Sequence, residues 1–431
     1  MVQPAVIELG ADRAVPEQPD RPARPRTRWL FAAGLALASA MGGAAVPRPG
    51  LVPRFQVPYA VGAAFVSGGD TLYVTAHGSV SAYRLPDGAR RWSVPAPGTV
   101  EGMQLATGSR VLLVSRAEPP TSTVGLDTRT GRQLWRSDSV LVAAVLPGDR
   151  QVLLFTPGPG ASSLMRAVDV RSGQAMWSRT QLGTVAPTGP WTDLRAEPPR
   201  LVFQTVDGGV EVVAAPTGEV LLRGRLPDLP APGPARFRPE DAQLSTAGDQ
   251  LLVIRGGDTR TLEAFDLGTL ARRWRARLPA AGYFATSCGT VLCVFGPQWM
   301  TGVDPGSGAL LWHTHLWQGA QALPGGRLLV SSGEPDLRLA IVVAATLRPV
   351  LDLKSWRALG GGPGGQQPLV LARTTADLRT WFAVVDPAVP HPVIRTLGGA
   401  GGVLDEECLA FDGYLACPTV HNRLQVWRYR T

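Results

Sequence analysis

From Leu72 to the C-terminus, apolar positions fall in short runs bounded by Gly, Pro, Asp and Ser. Leu72-Tyr73-Val74, Val111-Leu112-Leu113-Val114, Val152-Leu153-Leu154, Leu201-Val202-Phe203, Leu251-Leu252-Val253-Ile254, Leu328-Leu329-Val330 and Leu369-Val370-Leu371 are too short for helices. They predict strands and an all-β body. Downstream of these runs lies a second unit with fixed internal spacing. Gly125-Leu126-Asp127 is followed by Gly131 and Trp135, Ala167-Val168-Asp169 by Gly173 and Trp177, and Gly302-Val303-Asp304 by Gly308 and Trp312. In each, Asp precedes Gly by four residues and Trp by eight. A fourth copy, Ala82-Tyr83-Arg84 with Gly88 and Trp92, keeps the spacing without Asp. A fifth, Ala264-Phe265-Asp266 with Trp274, has its turn glycine displaced to Gly268. The repeat length is roughly forty residues.

Each part of the unit has a physical role. A carboxylate at a strand end accepts hydrogen bonds from nearby turn N–H groups, and Gly four residues on supplies the positive φ that reverses the chain. The Trp after the turn covers roughly 150–250 Å² of apolar area, a gross gain of about 4–6 kcal/mol at about 25 cal/mol per Å². That cover has to come from a neighbouring unit, so the units depend on one another. Weaker copies keep an aliphatic residue in the Trp place: Val213-Ala214 with Gly218 and Leu222, Val342-Val343 with Leu351, and Val385-Asp386 with Ile394. Docking positions thus stand at residues 92, 135, 177, 222, 274, 312, 351 and 394. Beyond them, strands near Leu415-Ala416-Cys417 and Leu424-Gln425-Val426-Trp427 end the chain before an outer strand can form. The extended segment Val52–Tyr59 is expected to complete that last sheet.

The pattern Ala-x-Asp-(x)3-Gly-(x)3-Trp resembles the tryptophan-docking motif of PQQ-like β-propellers, the quinoprotein-type repeat family, and the resemblance covers residues 52–431. It implies radially arranged sheets closed into a ring, with Trp92, Trp135, Trp177, Trp274 and Trp312, Asp127, Asp169 and Asp304, and Gly131, Gly173 and Gly308 as structural docking residues. Taken literally the repeat count makes nine sheets, above the usual four to eight, so eight blades are expected, with seven or nine as alternatives. A WD40 ring is disfavoured because no Trp-Asp dipeptide occurs and each Trp follows the turn glycine. Quinoprotein dehydrogenases of this family carry adjacent cysteines under the cofactor and a calcium site of Glu, Asn and Asp. Here no two cysteines are adjacent, and the sole asparagine, Asn422, stands beside His421 away from any acidic cluster. The expectation is a protein with no catalytic residues, no cofactor and no metal. It would act as a non-enzymatic binding or scaffold propeller for an envelope protein or cell-wall polymer, with a small-ligand sensor or a PQQ-dependent dehydrogenase as alternatives.

The N-terminal region has a different character. Residues 1–28 are Pro- and charge-rich and read as a disordered cytoplasmic tail, in which the apolar patch Ala5–Gly10 is read as incidental. Arg21, Arg24, Arg26 and Arg28 precede an uncharged run from Trp29 to Val46. At 1.5 Å rise per residue a helix over 29–46 reaches about 27 Å, enough for a thin bilayer. The arginines on its N-terminal side predict an N-in anchor with residues 47–431 extracytoplasmic. The alternative is a signal peptide cleaved near Ala38-Ser39-Ala40, leaving a secreted body.

Composition changes this picture little. The chain has 431 residues, 45% hydrophobic and 18% charged, which excludes a largely disordered protein. Its net charge of +8 is almost all Arg, with Lys354 the only lysine, and no basic cluster forms, so nucleic-acid binding is not expected. The four cysteines allow three pairings. Cys288 and Cys293 bracket one turn, and Cys408 and Cys417 another containing Asp412-Gly413. Two local disulfides are therefore expected, each worth about 2–3 kcal/mol. CxxC spacing for zinc is absent. The five histidines, 77, 313, 315, 391 and 421, form no HExxH, and no G-x-S-x-G elbow occurs. His313 and His315 are expected to share one strand face, which could hold a metal, and read as an outward polar face. The run Gly360–Gly365 lacks G-K-[ST] and reads as a loop.

Overall fold

Antiparallel neighbours joined by tight turns account for nearly every strand, because each β-branched run is followed by a Gly or Asp reversal. The computed structural model describes residues 50–430 apart from 61, 97, 117–120, 147–149, 158–161, 183–199, 206–208, 228–242, 256–259, 281, 334–336 and 362–367. The compact unit spans Pro49–Thr431. The expected tail (1–28) and anchor (29–46) lie outside the described residues. Among the described residues no helix is long and apolar enough to cross a membrane, and the one helical element is a 3-10 turn, Asp405–Glu407.

Among the described residues there are nine sheets. Blades 1 to 8 cover residues 65–95, 102–137, 140–182, 200–225, 243–277, 284–314, 319–354 and 357–401 in chain order, each running from an inner to an outer strand. Blade 4 shows three strands and the other seven show four. Blade 9 takes three strands from residues 409–429, and its outer strand is the N-terminal Leu51–Pro58, paired antiparallel with Arg423–Tyr429. The expected closure by the N-terminal segment is therefore what the structure has. The pair Gly360–Gly361, expected in a loop, instead adds a short parallel strand to the inner edge of blade 9.

The expectation of eight blades is corrected to nine. No degenerate copy was superfluous: each of the eight repeats forms its own sheet, and the C-terminal strands with Leu51–Pro58 form the ninth. The core is divided accordingly. Nine clusters of buried side chains each draw on two successive blades, and the last joins blade 9 to blade 1 through Val57, Leu424 and Val426 against Leu72, Val74 and Tyr83. Hydrophobic burial therefore lies between sheets, and the sheets close on themselves, which leaves no end sheet exposed.

Strand direction fixes what each end of the ring carries. One end holds the turns between third and outer strands, where the Asp-to-Gly units sit. The opposite end holds the turns between second and third strands and the connections from one blade to the next.

Candidate functional site

The sequence-predicted residues come together between blades. Asp127 Oδ1 accepts from the N–H groups of Arg129 (3.1 Å) and Thr130 (2.9 Å) and from the Thr130 hydroxyl (2.8 Å). Asp169 and Asp304 repeat the arrangement with Ser172 and Ser307. Partial burial pushes the carboxyls of Asp127 and Asp169 up, but the hydrogen bonds from Thr130 and Ser172 outweigh it and both pKa values lie below the usual range. At Asp304 the Ser307 hydroxyl leads the lowering. Four residues on, Gly131, Gly173 and Gly308 have φ of 73°, 70° and 74°, the left-handed region where Gly carries no Cβ penalty.

These glycines serve a second purpose that the spacing alone did not reveal. Each lies under the indole of the preceding blade. A Cβ on Gly131, Gly173, Gly218 or Gly308 would come within 2.7, 2.5, 2.6 or 2.5 Å of Trp92, Trp135, Trp177 or Trp274 respectively. Each indole N–H then donates to a carbonyl of the turn it covers: Trp92 to Thr128 (2.9 Å), Trp135 to Val170 (2.7 Å), Trp177 to Ala215 (2.9 Å), Trp274 to Pro305 (2.9 Å) and Trp312 to Ala344 (2.7 Å). A buried indole N–H needs such an acceptor, so the contact has a fixed geometry as well as area.

The small residue two places before Asp is explained by register. Ala82, Gly125, Ala167, Ala264 and Gly302 stand directly opposite Trp92, Trp135, Trp177, Trp274 and Trp312 across the hairpin. Where the outer residue is only Leu, its partner is large: Val212 opposite Leu222 and Ile341 opposite Leu351. Volume is thus conserved across the pair.

Two details of the sequence reading are corrected. In blade 5 the left-handed position is Leu270 (φ 55°), four residues after Asp266 like the others, and Gly268 is not in that region. Leu270 packs towards Gly224 and the smaller Leu222 of blade 4, filling space an indole takes elsewhere. In blade 8 the longer turn through Pro387, Pro390 and Pro392 shifts the docking position. Ile394 packs at the blade 7–8 interface, whereas Leu397 is buried against blade 9.

Both expected disulfides are present, Cys288–Cys293 and Cys408–Cys417, and no cysteine is free. Cys288–Cys293 joins the two innermost strands of blade 6, Cys408–Cys417 ties the residue before Leu409–Phe411 to the next strand of blade 9, and all four residues are buried. Bonds of this kind persist in oxidising compartments.

Sequence reasoning missed two buried carboxylates, Glu211 and Glu263, each on the strand next to the outer one, in blades 4 and 5. Glu211 is paired with Arg179 of blade 3 and with Arg223 at 2.8 Å. Glu263 meets Arg255 at 3.1 Å and Arg275 at 3.3 Å. The Glu211–Arg179 pair spans the seam between blades 3 and 4, whereas the Glu263 pairs lie within blade 5. The only hint in the sequence was an Arg one residue after the docking position in each blade, Arg223 and Arg275, with the acid one residue before its cross-strand partner.

At the connection end of the ring, a cavity of about 210 Å³ lies over blade 1, lined by Ala60, Thr75, His77, Ser79, Thr99 and Val100 among others. Its hydroxyls are engaged internally, Thr75 with the Ala64 carbonyl (3.0 Å) and Ser79 with the Ala76 carbonyl (2.8 Å). Close by, the Tyr59 hydroxyl lies 2.6 Å from the Ala63 carbonyl and 2.8 Å from Glu407 Oε2. Burial, and then Glu407, push the phenol pKa well above its ordinary value, so it remains a hydrogen-bond donor. On blade 6, His313 Nδ1 is 2.7 Å from Thr301 Oγ1, and its Nε2 is 3.3 Å from His315 Nε2. Partial burial, with the nearby His315, lowers the His313 pKa.

The repeats also match known proteins. Residues 35–189 match the family model described as outer membrane protein assembly factor BamB. The matched repeats are similar to those of PQQ-like β-propellers. Among solved structures, the chain is similar to BamB from Moraxella catarrhalis (15% identity, 88% of this chain and 100% of that one, TM-score 0.47). It is also similar to the quinohemoprotein alcohol dehydrogenase ADHIIG from Pseudomonas putida HK5 (11% identity, 88% and 76%, TM-score 0.45) and to the computationally designed Ika8 protein (11%, 88% and 99%, TM-score 0.41). No curated protein matches the chain.

Proposed function

We propose that this chain is a non-enzymatic propeller that works outside the cytoplasm as a scaffold, binding an envelope protein or a cell-wall polymer, and held at the membrane through residues 29–46. The observation that carries this reading is the difference between the two ends of the ring. One end is committed to structure, since its turns are locked by Asp and glycine beneath the indoles. The other end carries connections of unequal length on a rigid base, among the described residues from 138–139 after blade 2 to 402–408 after blade 8. Binding surfaces are commonly built this way, from loops of free length on a fixed scaffold. The family description, an assembly factor, supports the same reading. The two disulfides support an oxidising, extracytoplasmic location.

Crosslinking of the membrane-embedded chain, followed by identification of the crosslinked species, tests the proposal. A defined envelope protein or polymer, crosslinked through the connection end and not through the turns that carry the Asp-to-Gly units, is the expected result. Incubation of the purified chain with PQQ and calcium gives the opposing test. A bound-quinone spectrum with dye reduction in the presence of an alcohol would establish the dehydrogenase instead.

A further inference from the structure

We propose that His313, on the outer strand of blade 6, and His315, one residue beyond the end of that strand, form a two-imidazole binding site for a divalent first-row transition metal ion, Zn²⁺ or Cu²⁺. The outer strand ends at Thr314, so His315 lies in the bend that follows it, and both residues are exposed to solvent. Their Nε2 atoms are 3.3 Å apart. Two nitrogens bound at about 2.0–2.1 Å with a tetrahedral angle between them stand about 3.3–3.4 Å apart, so the pair is already at ligand spacing. The rings are nearly perpendicular, at 88°, so chelation requires the exposed His315 ring to rotate until both lone pairs meet at a common point.

The surroundings orient the first ligand. Thr301 is buried and its hydroxyl sits 2.7 Å from His313 Nδ1. With that hydroxyl accepting the Nδ1 proton, Nε2 keeps its lone pair for a metal, the arrangement by which a second partner fixes tautomer and ring direction in metal sites. Trp299 packs against the other side of the His313 ring, with centroids 5.4 Å apart. Among the described residues no third His, Cys, Asp or Glu joins the pair. The remaining coordination positions fall to water or to a ligand carried by a partner, so the site suits a bridging or exchangeable ion. By the usual stability order Cu²⁺ binds more tightly than Zn²⁺.

The test is isothermal titration of the tag-free full chain, in detergent, with ZnCl₂ and with CuCl₂, together with visible absorption of the copper form. The expected result is one saturable ion per chain, a d–d band typical of imidazole ligation, and at least a tenfold weaker affinity in His313→Gln and in His315→Gln, with His391→Gln unchanged. His315→Gln leaves the Thr301 bond intact, so it remains informative if His313→Gln disturbs the fold. Absence of saturable one-to-one binding in the wild type, or equal affinity in the His313→Gln/His315→Gln double variant, overturns the proposal.

Discussion

Phe55 lies across Gly88, with its ring 2.5 Å from the point where a Cβ on that glycine would sit. This places Phe55, on the N-terminal strand of blade 9, in the same relation to blade 1 that each docking Trp has to the blade after it. The ring is therefore closed in two ways: strand pairing with Arg423–Tyr429 completes the ninth sheet, and an aromatic ring completes the cycle of blade-to-blade contacts. Gly88→Ala is expected to destabilise by about 2–4 kcal/mol, combining a positive φ with a collision that has to displace Phe55. Phe55→Ala, at a half-buried site, is expected to cost less, about 1–3 kcal/mol. Denaturant unfolding of both variants measures this, and equal stability to wild type would show that closure rests on strand pairing alone.

The docking indoles should differ in weight. Trp135 is 7% exposed, so Trp135→Ala is expected to cost about 3–5 kcal/mol. Trp312 is only half-buried, and its removal should cost roughly half as much. Urea midpoints at constant m-value separate the two, and the reverse order would contradict the packing described here.

Two glycines that look alike in sequence should respond differently to alanine. Gly173 has φ 70° and lies 2.5 Å, by its virtual Cβ, from Trp135, whereas Gly268 lies outside the left-handed region and meets only Asp266 Oδ1 at 3.2 Å. Gly173→Ala should lose about 2–4 kcal/mol and Gly268→Ala less than about 1 kcal/mol. Thermal unfolding of the pair is sufficient to compare them.

The turn carboxylates set an acid limit. Asp127, Asp169 and Asp304 have lowered folded-state pKa values, and Asp87, held by Arg84, is lowered to about 2. For a carboxyl whose folded pKa is depressed, the stabilisation is complete above the unfolded value near 3.9 and is lost as pH falls towards the folded value. Stability should therefore be flat from pH 7 to about 5 and fall between about pH 4 and 2. The triple variant Asp127→Asn, Asp169→Asn, Asp304→Asn should show a shallower fall over that window. An unchanged slope would mean that the turns contribute nothing to the acid limit.

Removing either disulfide should be tolerated. Their sequence separations are 5 and 9 residues, and loops so short reduce the unfolded-state entropy by only about 2–3 kcal/mol each. Cys288→Ala/Cys293→Ala and Cys408→Ala/Cys417→Ala should each lower the unfolding free energy by that amount and retain the native circular-dichroism spectrum.

Asp, Gly and Trp at fixed spacing were enough to establish the turns and the docking of one unit on the next, the short apolar runs marked the strands, and the cysteine positions marked both disulfides, because each depends on local chemistry; the closing strand was expected from the incomplete last sheet. The number of blades was also present in the repeat count, but a ring accepts another wedge wherever paired volumes fill the seam, and it was Val212 with Leu222 and Ile341 with Leu351 that kept the degenerate sheets in place. Tertiary structure alone decided the rest. That Gly173 lies under Trp135, that Glu211 reaches Arg179 of the previous blade, and that His313 and His315 bring their nitrogens to 3.3 Å are facts of distance between chain segments or of side-chain orientation. Spacing along a chain records which face a residue occupies but not what stands opposite that face, and the seams between blades are made of what stands opposite.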